Sequence, residues 1–146
     1  MFMSTASQSD HEQAIVKAFV VSGRQERFSS FLSSPKNREK FTRELAHFRW
    51  FDQRFATTVP WKVDPRLKLW ERHAQGIENV CRLLRSKGAG KNCWAISQDQ
   101  ALDGHELQLE AAPEQIVGCG MGTILSCIAG KLAYFEGEDE SLILTR

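Results

Sequence analysis

The sequence predicts an α+β fold in which N-terminal helices pack on one face of a small antiparallel sheet that ends in a C-terminal β-meander. Three observations carry this prediction. Apolar residues recur at helical spacing as far as Lys87, where Gly88 closes the pattern. From Cys93 onward the chain breaks into short apolar runs bounded by turn residues. The last of these runs follow one another through short turns, which selects hairpins over βαβ crossovers. One domain over 11–146 is expected, helical in 11–88 and β-rich in 93–146, after a polar tail at 1–10. The sheet is expected to hold about four or five strands with one face covered.

Each element has its own signal. Ala14, Ile15, Ala18 and Phe19 give Glu12–Val21 an amphipathic helical face, ended by Ser22-Gly23. Phe28, Phe31 and Leu32 line one side of a second helix from Arg24. Ser34-Pro35 is a capped start, because proline at the first helical position gives up an N–H that has no partner there. Phe41, Leu45, Phe48 and Phe55 continue as a helical stripe. Trp50 falls on the opposite face of that stripe. Either the helix ends near Arg49 and Trp50 packs under Val59-Pro60-Trp61, or Trp50 is an exposed anchor for a partner. Asp64-Pro65 opens the longest helical pattern, through Trp70, Ala74, Ile77, Val80 and Leu84. Gly76 within it marks a close helix contact or a break.

The strands follow. Cys93–Ser97 reads as a buried strand, and His105–Leu109 alternates beyond the turn at Leu102-Asp103-Gly104. Pro113–Val117 is long enough for one helical turn. Thr123–Ile128 and Lys131–Glu136 flank Ala129-Gly130, the spacing of a tight hairpin, and Leu142–Thr145 closes the meander.

With 146 residues, 42% hydrophobic and 25% charged, the composition suits a globular core. No stretch approaches the ~20 apolar residues of a membrane helix. The start lacks the basic and apolar regions of a secretory signal, and Cys81, Cys93, Cys119 and Cys127 contain no C-x-x-C pair. Reduced thiols in a cytoplasmic protein, with no metal site and no cofactor, are therefore expected. The net charge of +1 hides a segregation: −1 over residues 1–23, +6 over 24–72, +3 over 73–98 and −7 over 99–146. Mutual neutralisation of the two halves within one fold is the leading explanation, and a charged partner is the other.

Gly88-Ala89-Gly90-Lys91-Asn92 resembles a phosphate loop only superficially. The first required glycine falls at Arg85, Asn92 stands where Ser or Thr is needed, and the segment follows a helix. Gly118-Cys119-Gly120-Met121-Gly122-Thr123 is the most unusual stretch. Its glycines permit close backbone approach and could present N–H groups to an anion. Glu136, Glu138, Asp139 and Glu140 lack the spacing of a calcium loop and read as a solvated turn.

Two function classes remain. The favoured one is a non-catalytic binding or regulatory module that takes a protein partner or a second copy on a basic, aromatic helical surface. Arg38, Arg43, Arg49, Trp50 and Arg54 are its expected partner-binding residues. Acids alternate with these cations and the pI is near 7.7, which disfavours nucleic acid. The alternative is a small enzyme or ligand-binding domain. Gly118, Gly120, Gly122 and Thr123 would hold its ligand, with Cys119 as nucleophile and His105 as base.

Overall fold

In the computed structural model, which describes residues 6–45, 50–59, 66–117, 121–137 and 141–146, six strands form one antiparallel sheet. The strands are β1 (Ala56–Thr58), β2 (Asn92–Ser97), β3 (His105–Gln108), β4 (Thr123–Ile128), β5 (Leu132–Glu136) and β6 (Ser141–Thr145). Their order is β1-β6-β5-β4-β2-β3. The predicted meander is the run β4-β5-β6, and β2 adds to its free side in the register Trp94↔Ser126 and Ile96↔Ile124. The helices are α1 (Ala6–Phe19), α2 (Gln25–Ser33), α3 (Arg38–Leu45), α4 (Leu69–Ser86) and α5 (Ala112–Ile116).

Helices cover both faces of the sheet. Trp94, Ile96, Ile124, Phe135 and Leu144 point toward α1, α2 and α3 and meet Ile15, Phe19, Phe28 and Phe41. The rings of Phe28 and Phe41 pack edge to face at 5.8 Å, and Phe51 meets Phe135 in the same way at 5.0 Å. The intervening positions, Cys93, Ala95, Leu125, Tyr134 and Ile143, face the other way and are buried with Val80 and Leu84 of α4 and Ile116 of α5. The one-face arrangement expected from sequence therefore holds for α1, α2 and α3, and α4 and α5 form a second layer. The reason is visible in Thr123-Ile124-Leu125 and Leu142-Ile143-Leu144: consecutive apolar residues point to alternate sides, so both sides must be covered.

Other differences are local. α1 begins at Ala6, inside the stretch assigned to a tail. The Phe41–Phe55 stripe is not one helix, because Phe51 forms an antiparallel bridge to Val20 and Phe55 follows a turn. β1 was not anticipated; it is three residues long and pairs at the sheet edge with Leu142–Leu144. α4 begins at Leu69, later than Asp64-Pro65 suggested, and the Glu71 carboxylate accepts the Lys68 N–H at 3.0 Å. Asp64 and Pro65 lie outside the described residues. α4 runs unbroken through Gly76, which is buried, and ends as predicted at Gly88, whose φ of +103° few other residues adopt.

The second layer is testable on one helix. Leu84→Ala, at a fully buried site, lowers the unfolding free energy by about 2–5 kcal/mol. Leu69→Ala, at a position 80% exposed on the same helix, changes it by less than about 0.5 kcal/mol. Urea unfolding of the two variants checks both values.

Candidate functional site

In the described part of the glycine-rich stretch, Gly122 and Thr123 are buried and Met121 is exposed. Gly122 exchanges hydrogen bonds with Gln98: its N–H donates to Oε1 at 2.7 Å, and its carbonyl accepts the Gln98 N–H at 3.0 Å. A side chain there would place Cβ 3.0 Å from the Thr42 carbonyl of α3, so the glycine serves a close approach of backbones. Thr123 is fully buried, and its hydroxyl donates to the Met121 carbonyl at 3.1 Å and meets the Ser97 hydroxyl at 2.7 Å. His105 is exposed on β3, and β2 lies between it and Thr123 on β4. The structure does not bring the two together. Gly118, Cys119 and Gly120 lie outside the described residues.

The other cysteines are free thiols on the α4 side of the sheet. Cys93 and Cys127 occupy facing positions of β2 and β4, one step beyond the Trp94–Ser126 pair, and Cys81 of α4 donates to the Leu109 carbonyl at 3.6 Å. Burial pushes the Cys93 and Cys127 thiols from the usual 9.0 up to about 12, so both stay protonated and weakly nucleophilic at neutral pH.

Arg38, expected on a partner-facing surface, is turned inward. Its guanidinium is clamped between two carboxylates, donating to Glu12 at 2.7 and 2.8 Å and to Asp103 at 2.9 and 3.1 Å. Both acceptors have further partners: the Trp94 indole N–H donates to Glu12 at 3.0 Å, and the Ser97 N–H donates to Asp103 at 3.0 Å. Arg38's own hydrogen bonds to Glu12 and Asp103 push its pKa still higher and keep its charge fixed. The clamp ties α1, α3, β2 and the β2–β3 turn into one hydrogen-bonded unit. Nearby, the His11 ring Nδ1 and the Ser126 hydroxyl stand 2.6 Å apart, joining α1 to β4. Ser126 is fully buried, so the pair is an internal tie. Glu136 departs from its expected role in a solvated turn: it is 6% exposed and accepts hydrogen bonds from the hydroxyls of Tyr134 and Ser141. Glu138, Asp139 and Glu140 lie outside the described residues.

Of the remaining predicted residues, Trp50 and Arg54 lie where residues 50–55 cross between α1 and the end of β6. Trp50 is half-buried against the core, and the Arg24 guanidinium lies 4.4 Å from its ring centroid. Val59 belongs to the opposite core cluster, so it does not cover Trp50; Pro60 and Trp61 lie outside the described residues. Phe55 carries two guanidinium groups, Arg54 at 5.1 Å and Arg146 at 4.6 Å. Arg27 lies 4.9 Å from Phe31. Arg54 pairs with Asp52 at 2.7 Å and Arg27 with Glu44 at 2.6 Å, and these hydrogen bonds hold both carboxyls below their ordinary range. Arg43 is exposed and pairs with Glu39 of the same helix at 2.6 Å. Arg49 lies outside the described residues. Sequence reasoning missed Arg24 and Arg146, which are brought to Trp50 and Phe55 by the chain crossing; the interleaving of arginine and aromatic residues was the available signal.

Neutralisation between the two halves is partial. Among the described residues, Arg38–Asp103 and Arg85–Glu110 join the basic region to the acidic one, whereas Arg27, Arg43, Arg54 and Arg82 find their acids within the basic region itself. Comparison with protein-family models, curated proteins and solved structures finds no match to this chain.

Two outcomes follow from these placements. Arg38→Met leaves Glu12 and Asp103 facing each other without their cation and costs about 3 kcal/mol of stability, whereas Arg43→Met on the outer side of α3 costs less than about 0.5 kcal/mol. Chemical denaturation distinguishes them. The thiols add an alkaline dependence. Between pH 9.0 and about 12 an unfolded chain releases protons that folded Cys93 and Cys127 keep, so their contribution is complete below pH 9.0 and declines as pH rises. Cys93→Ala combined with Cys127→Ala flattens this decline in unfolding free energy measured across that range.

Proposed function

We propose that this domain is a non-catalytic binding module that takes an acidic protein segment on its arginine–aromatic edge. The carrying observation is the set Arg24, Arg54 and Arg146, whose guanidinium planes lie on Trp50 and Phe55 at one side of the sheet. A stacked guanidinium has already lost much of its rotamer freedom; Arg146 also donates to the Ala18 carbonyl at 3.1 Å and Arg54 to Asp52, and their remaining in-plane N–H groups are those offered to an incoming carboxylate. Binding a carboxylate there costs less ordering entropy than recruiting a free side chain. Arg24 has no ion pair among the described residues, and Arg54 trades Asp52 for an incoming acid. The carboxylates of Asp52, Glu44 and Glu39 among these arginines oppose a continuous phosphate backbone and favour a short acidic segment. The free thiols Cys81, Cys93 and Cys127 support a reducing, cytoplasmic setting.

A fluorescein-labelled Glu/Asp decapeptide provides the probe. Its affinity by anisotropy falls several-fold between about 0.05 M and about 0.5 M salt, as exposed charge pairs require. Arg24→Glu with Arg54→Glu weakens it by at least about tenfold, while Lys131→Glu on the β4–β5 turn leaves it within about twofold. Equal affinity for all three proteins contradicts the proposal. Light scattering at rising concentration reports whether a second copy competes for the edge.

A further inference from the structure

At the opposite edge of the sheet, the end of α4, residues 89–91, the start of β2 and the end of β3 enclose a cleft of about 640 Å³. That volume lies within the range of small-molecule sites, roughly 300–1,000 Å³. Its lining is divided by chemistry. Ala89 and buried Leu109 supply apolar surface, and Arg85, Lys91, Asn92, Gln108 and Glu110 supply polar groups.

The cleft is a consequence of local structure. Gly88 turns the chain out of α4, and the Leu109 N–H donates to the Lys91 carbonyl at 2.7 Å, closing the wall behind it. The Cys81 thiol donates to the Leu109 carbonyl and holds that residue in place. Asn92 and Gln108 are register partners, so their carboxamides come from neighbouring positions on β2 and β3. Arg85 reaches across to bond Glu110. Lys91 is exposed and has no ion pair among the described residues. Arg85 therefore takes the carboxylate of the lining, and Lys91 stands free beside the apolar surface. The negative end of the α4 dipole is offset by Arg85 and Lys87 in and just after its last turn.

We propose that this cleft binds a small organic anion with an apolar body. The acid group of the ligand pairs with Lys91 and draws Arg85 away from Glu110, and the body lies on Leu109 and Ala89. Glu110 occupies Arg85 in the empty cleft and sets a threshold that only an anion overcomes. The proposal is independent of the arginine–aromatic edge, from which the cleft is separated by the width of the sheet.

The test is a fluorescence titration of the folded full chain with 8-anilinonaphthalene-1-sulfonate, itself a small organic anion with an apolar body. One saturable site is expected. Lys91→Glu weakens it by at least about tenfold and Arg85→Met by several-fold. Trp70→Ser, which removes an exposed apolar residue at the other end of α4, leaves it unchanged. Octanoate and octyl phosphate displace the dye, and their relative potency separates a carboxylate from a phosphate ligand; octanol and octylamine do not displace it. Circular dichroism and the thermal midpoint verify that each variant is folded, which the exposure of Lys91 favours. Absence of a saturable site overturns the proposal. So does indifference to Lys91→Glu, loss of the site in Trp70→Ser, or displacement by octylamine as effective as by octanoate.

Discussion

Strands β4, β5 and β6 carry apolar side chains on both sides, and that constraint organises the whole molecule. Ile124, Phe135 and Leu144 need a cover on one side of the sheet, and Leu125, Tyr134 and Ile143 need one on the other. Burying a side chain of that size is worth roughly 1.5–3 kcal/mol, so leaving either face in water would forfeit more than the margin by which small domains are stable. The early helices meet one demand and α4 with α5 the other. The chain therefore visits both faces before it completes the sheet between them. This explains why the helices precede most of the strands in sequence and yet surround them in space.

A double-sided sheet leaves few places for charge, and the Arg38 clamp shows how one is accommodated. The polar atoms of Glu12, Arg38, Trp94 and Asp103 satisfy one another, and among the described residues no buried side-chain nitrogen or oxygen lacks a partner. The net charge of the group is close to −1, with the indole and Ser97 N–H donors supplying the remaining stabilisation. The arrangement couples the N-terminal helix to a turn 91 residues later, from Glu12 to Asp103. It also accounts for part of the charge segregation. Basic residues of the helical half find acids in the C-terminal half at Asp103 and Glu110, while most of the surface arginines are neutralised by acids a few residues or one helix away.

What could be read from the sequence was whatever depends on local spacing. The meander, the strand at Cys93–Ser97, the turn at Pro113–Val117 and the helix stop at Gly88 all appear where periodicity and turn residues placed them. What could not be read depends on which segment lies against which. β1 is too short for its own alternation to register, and it exists because β6 offers an unpaired edge. Phe55 matches a helical stripe by coincidence of spacing, and the bridge of Phe51 to Val20 and the contact of Phe55 with Arg146 decide otherwise. Helical spacing puts Arg38 near the Phe41 side of its helix and Arg43 on the opposite side, but that Glu12 and Asp103 meet Arg38 depends on how distant segments pack. The second layer was legible in principle, because runs such as Leu142-Ile143-Leu144 do not permit a solvated face.

Covering both faces has a consequence for function. With α1, α2 and α3 on one side and α4 and α5 on the other, the apolar residues of both sheet faces are buried among the described residues. The margin beside β1 and β6 is cationic and aromatic, in keeping with the acidic segment proposed for it. The margin beside β2 and β3 is concave and mixed in polarity, suited to enclosing a small molecule. These are different kinds of recognition, and the sheet holds them at fixed separation because every strand between them is paired on both sides. Any communication between the margins would have to pass through the register of β6, β5 and β4, whose side chains are buried on both faces and resist displacement. The paired strands between the two margins thus suit the two proposed sites to independent action.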